Sequence, residues 1–112
     1  MKISERDWKV FKKVREAALE RFCESAVADL AAVCSDGTRS VCDRYRAAGE
    51  LMHKRDREMA DAFDDLRRLT AIPQLVLMHT RGLVSAGDMK LFSPEVQAII
   101  AKIRGTLASS DS

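Results

Sequence analysis

Apolar residues recur every three or four positions through the first seventy residues, the spacing of a helix with one buried face. Trp8, Phe11, Val14, Ala18, Phe22, Ala26, Leu30 and Val33 form one such stripe. A second runs Val41, Tyr45, Ala48, Met52, Met59, Phe63 (or Ala62) and Leu66, under a dense coat of alternating charges. Arg55 stands where that second stripe is due a core residue. Ser4 followed by Asp7 is a capping-box-like start for the first helix. Ser-Asp-Gly at 35–37 ends it, with Gly37 suited to the left-handed position beyond a helix C-terminus. Thr38 or Ser40 can cap the second helix, which the pattern extends to about Thr70.

Pro73 prevents that second helix from continuing undisturbed, so a new helix should begin near Ala71 with the proline in its first turn. This segment is apolar on nearly every side (Ile72, Leu75, Val76, Leu77, Met78) and should be the most buried. Gly82 stops it. Ser85 with Asp88 starts a short helix, and Ser93-Pro94-Glu95 starts the last, whose apolar face is Val96, Ile99, Ile100 and Ile103. Gly105 is expected to end it.

The expected architecture is therefore all-α. A long antiparallel two-helix hairpin carries two to three shorter C-terminal helices packed on one end. The pattern places helices at about 4–35, 39–70, 72–81, 86–92 and 94–104 in a single domain, 1–105, with 106–112 a flexible tail. Folding the chain near Gly37 sets Ala26 and Ala28 against Ala47 and Ala48. It also brings Phe22 near Met52 and Phe11 near Phe63, with Asp29 opposite Tyr45. Two helices of about 30 residues are about 45 Å long and too elongated to cover each other completely.

Composition supports this picture. The 112 residues are 46% apolar with only five Gly and two Pro, which favours helices over turns and strands. Net charge is +2 and the two signs balance in each third of the chain, so no concentrated positive field points to nucleic acid. Charges at Lys2, Glu5, Arg6 and Asp7 leave no signal-peptide core, and no apolar run reaches membrane-spanning length. A cytoplasmic location and no membrane contact are expected. Three cysteines are an odd number, and the expectation is reduced thiols rather than a disulfide framework.

Candidate chemistry is thin. Glu50 and His53 have the Glu-x-x-His spacing of di-iron bundles, but both fall on the solvent side of the second helix, so no metal is expected. No cofactor loop or nucleophile motif is present, and no enzymatic activity is expected. Arg15, Asp29 and Arg55 lie on faces that should be buried, with Tyr45 across from Asp29. These four are candidates either for a polar core that fixes helix pairing or for a pocket in which Arg15 or Arg55 holds an anionic small ligand. The 72–92 segment outlines a helix-turn-helix and offers DNA binding as an alternative, though its second helix carries one Lys and one Asp. The expectation favoured by the uncovered stripes is a non-enzymatic interaction or adaptor protein acting as a homodimer, with an unknown protein as a further possible partner.

Overall fold

The computed structural model describes residues 3–110, with side chains to residue 107. Every regular element is helical: α1 (Glu5–Cys34), α2 (Val41–Phe63), a 3-10 turn (Arg68–Thr70), α3 (Ala71–Thr80), α4 (Ala86–Lys90) and α5 (Pro94–Ser110). α1 and α2 form the antiparallel hairpin, and α3 to α5 pack over one end of it. The molecule measures 52 × 33 × 23 Å with a radius of gyration of 16.8 Å. A compact chain of this length would have about 13 Å. The excess is the bare outer half of the hairpin.

The caps follow the serines. Ser4 accepts from the Asp7 N–H and Ser40 from the Asp43 N–H, each at 3.1 Å. Thr38 instead donates its N–H and hydroxyl to Asp36, closing the hairpin turn without a left-handed residue. Gly82, at φ 75°, is the only described glycine in the left-handed region, so the role expected of Gly37 is not the one it plays. At Gly82 the pattern is a full Schellman motif: Leu83 N–H donates to Met78 O (2.9 Å) and Gly82 N–H to His79 O (3.1 Å).

α2 stops at Phe63, short of the expected Thr70, and Leu66 lies beyond the helix. Asp61, Asp64 and Asp65 crowd its negative end, where acids are unfavourable. The carbonyls there are taken up by side chains: Arg15 donates to Phe63 O, and Gln74 and Thr70 donate to Asp65 O. α5 passes through Gly105 to Ser110, so most of the expected tail is helical; residues 111–112 lie outside the described region.

The core fills the covered end. Phe11, Val14, Ala18 and Phe22 of α1 meet Ala62 and Phe63 of α2, Leu75 and Met78 of α3, and Val96 and Ile100 of α5. Phe22 and Phe63 meet edge to face, with ring centroids 6.0 Å apart. Asp7 holds the N-termini of α1 and α5 together. It accepts from the Ser93 N–H (2.9 Å) and hydroxyl (2.7 Å) and from the Ser4 hydroxyl (3.1 Å). Burial pushes the Asp7 carboxyl up, but the hydrogen bonds from Ser93 and Ser4 outweigh it and hold the group below the ordinary aspartate range.

Candidate functional site

The hairpin contact differs from the one the stripes predict by a rotation of α2 about its axis. The side of α2 turned toward α1 carries Arg44, Ala47, Leu51, Arg55, Glu58 and Ala62, all buried or half-buried. Arg55 therefore sits in the middle of the packed face rather than interrupting a stripe. Val41, Tyr45 and Met52, expected in the core, are 71%, 82% and 52% exposed. The physical reason is that arginines fill the space between the rods. Their aliphatic stems pack while their guanidinium groups reach acceptors on the facing helix. Arg44 donates to Cys34 O at 3.0 Å, and Arg55 donates to Asp29. Asp29 thus pairs with Arg55 and not with Tyr45, and Phe63 meets Phe22 where Phe11 was expected.

Of the four candidate residues, only Asp29 and Arg55 come together. Arg15 is at the far end, its guanidinium 5.7 Å from the centre of the Phe63 ring and bonded to Phe63 O. There it acts as a positive cap on the C-terminus of α2. Tyr45 is out on the arm. Arg55 also donates to Glu58 at 2.8 Å, and Arg81 donates to Glu58 O at 2.8 Å. These residues border an open cleft of about 300 Å3 lined by Phe22, Ser25, Arg55, Glu58, Arg81 and Leu83. Hydrogen bonds to Glu58 and then Asp29 raise the Arg55 pKa further above its ordinary value. Two carboxylates on one guanidinium leave little positive field for an anion, so the cluster is built as a helix-to-helix tie.

The other side of the hairpin is apolar. A groove of about 210 Å3 runs between the helices, lined by Phe22, Cys23, Ala26, Val27 and Leu30 of α1 and by Met52, Arg55, Asp56 and Met59 of α2. Toward the tip a separate shallow depression is lined by Tyr45, Ala48, Gly49 and Met52, with the charged Arg46 and Glu50 at its side. Val27, on the α1 wall of the groove, is 67% exposed. The sequence reading leaves the stripes partly uncovered but sets Tyr45 and Met52 between the helices, although a signal for this surface is present. Cys42, Tyr45, Gly49, Met52, Asp56, Met59 and Phe63 alternate in steps of three and four, a coiled-coil seam with a polar residue and a glycine in it.

The remaining features carry less. α4 is five residues long, and its Asp88 is held by Ser85 and by Arg21 at 2.7 Å, so the outline of a helix-turn-helix lacks a helix that would reach bases. Glu50 and His53 are both exposed, and no cluster of three metal-ligating side chains occurs among the described residues. Cys23, Cys34 and Cys42 are free thiols. No described helix is long and apolar enough to cross a membrane. No protein-family model matches the chain, and neither a curated protein nor a solved structure shows significant similarity to it.

Proposed function

We propose that the protein is a non-enzymatic helical interaction module that works as a homodimer in the cytoplasm, joined through the apolar side of its hairpin arm. The observation that carries this reading is the exposure of Val27, Val41, Tyr45 and Met52 on the outer half of the hairpin. Scattered apolar residues on a surface need no explanation, but a contiguous strip with a groove in it does. The strip along α2 from Val41 to Met59 is roughly 27 Å long, and two helices side by side are roughly 20 Å wide. That footprint is roughly 540 Å2 per partner, below the roughly 800 Å2 of a standard-size interface, but the two sides together exceed the roughly 1,000 Å2 in total that a specific pairing needs. A second copy brings an identical strip, and closed two-fold pairing is the commonest arrangement of soluble oligomers. The paired arms would form a four-helix bundle, the packing that two-helix hairpins achieve by association.

Sedimentation equilibrium over a range of concentrations tests the reading. A monomer–dimer equilibrium with a dissociation constant in the micromolar range or tighter is expected. A chain that stays monomeric at tens of micromolar overturns it.

A further inference from the structure

Three features of the arm have no explanation within one chain. Tyr45 is 82% exposed, and neither it nor Asp56 has a hydrogen-bond or ion-pair partner among the described residues. Gly49 lies in the interior of α2, where glycine weakens a helix, yet a Cβ there would meet nothing within 4 Å. No close approach inside the protomer requires it. At the same time the groove beside Met52 and Met59 has apolar walls, a carboxylate at its rim and no occupant of its own chain.

We infer that the groove of each protomer receives Tyr45 of a second copy, with α2 packed antiparallel against α2 about a two-fold axis near Gly49 and Met52. The inference rests on the homodimer reading and specifies its geometry. Tyr45 and Asp56 are three full helical turns apart, so they lie on the same side of α2, roughly 16 Å from each other. A two-fold axis midway between them brings Tyr45 of each copy onto the Asp56 end of the other's groove. Both insertions are made at once, as an isologous contact demands. The phenol ring lies against the apolar walls while its hydroxyl donates to the Asp56 carboxylate at the rim. Both are things a tyrosine side chain does well. The same axis sets Gly49 of one copy against Met52 of the other, a small residue facing a large one. That gives the glycine the close helix approach that the isolated chain does not use.

The test is sedimentation equilibrium on the full chain and on Tyr45→Ala, Tyr45→Phe and Gly49→Leu. It is joined by photo-crosslinking from a benzoylphenylalanine placed at position 45 of an otherwise unaltered chain. All three substitutions are on exposed positions, and circular dichroism checks that each variant keeps its helices. Tyr45→Ala and Gly49→Leu should each weaken the dimer at least roughly tenfold, and Tyr45→Phe less than Tyr45→Ala. The crosslinker should join the peptide containing Met52 to Met59 of the other copy, identified by mixing isotopically labelled and unlabelled chains. A wild-type dimer that is indifferent to Tyr45→Ala and Gly49→Leu, or that crosslinks only elsewhere, overturns this geometry and leaves the homodimer standing. A wild-type monomer overturns both.

Discussion

Phe63 and Tyr45 occupy the same side of one helix, five turns apart, and their surroundings have almost nothing in common. Phe63 is 2% exposed, with Phe22 against its edge and the Arg15 guanidinium over its face; Tyr45 is 82% exposed. The contrast repeats on α1, whose apolar stripe is buried at Phe22, 6% exposed, and only half-buried farther along at Leu30. Nothing in the local periodicity separates the members of either pair. What separates them is the reach of α3 and α5, which cover one end of the hairpin and stop. An amphipathic stripe states that a face needs covering, and which helices pack against it decides how much of it is covered.

The sharpest way to break the contrast is to truncate both aromatics. Phe63→Ala should cost about 3–5 kcal/mol in urea unfolding, the range for removing a buried aromatic ring. Tyr45→Ala should change the stability of the dilute protomer by less than about 0.5 kcal/mol. Equal losses would mean that the arm is covered within one chain. Next comes the polar counterpart at the covered end. Asp7→Ala leaves the Ser93 N–H and hydroxyl without their acceptor and should cost about 1–3 kcal/mol at neutral pH. Because the folded-state pKa of Asp7 is lowered, its contribution is fully present above the unfolded aspartate value and is lost as pH falls through the folded one. Acid unfolding curves of Asp7→Asn should therefore be flatter than wild type below about pH 4.

On the arm the effects shrink. Arg55→Met removes a guanidinium shared by Asp29 and Glu58, whose side chains are 46% and 23% exposed. Solvent screening at that exposure holds the expected loss to about 1 kcal/mol, and it should diminish in high salt. A much larger and salt-independent loss would make the arm as tightly packed as the covered end. Of similar size and opposite in sign, Gly49→Ala should stabilise the dilute protomer by the helix-propensity difference, about 0.5–1 kcal/mol, read as a rise in melting temperature. Its Cβ has open space around it.

The helices were legible because their signals are local. Ser4, Ser40, Ser85 and Ser93 stand as caps where the sequence suggests, and Pro73 falls inside the first turn of α3. The early end of α2 was legible too, in Asp61, Asp64 and Asp65, but a continuing apolar step to Leu66 outweighed them. The rotation of α2 was not. It depends on Arg44 and Arg55 laying their stems between the helices and finding acceptors at Cys34 O and Asp29, which a binary pattern of apolar and polar positions scores as surface. The same rotation divides the candidate polar residues: Asp29 and Arg55 meet, while Arg15 lies at the base and Tyr45 out on the arm. A register that faces the apolar stripes toward each other sets Asp29 opposite Tyr45 and leaves Arg15 and Arg55 simply on faces due to be buried. Asp7 was read as a local cap, and its reach to Ser93 is a tertiary contact that no spacing announces.

That reach also bears on the order in which the chain assembles. The two residues it joins are 86 positions apart in a chain of 112, so most of the chain is enclosed by the contact, and closing so large a loop carries its entropy before the bond returns anything. The hairpin, by contrast, grows outward from a six-residue turn by contacts between near neighbours. Folding is therefore expected to begin at the exposed tip and finish at the buried base, with the Asp7–Ser93 clasp among the last contacts made. An interaction absent until the final step does little for the speed of folding and a great deal for the slowness of unfolding. The clasp is in that sense a latch, and the lifetime of the folded chain depends on it more than its rate of formation does.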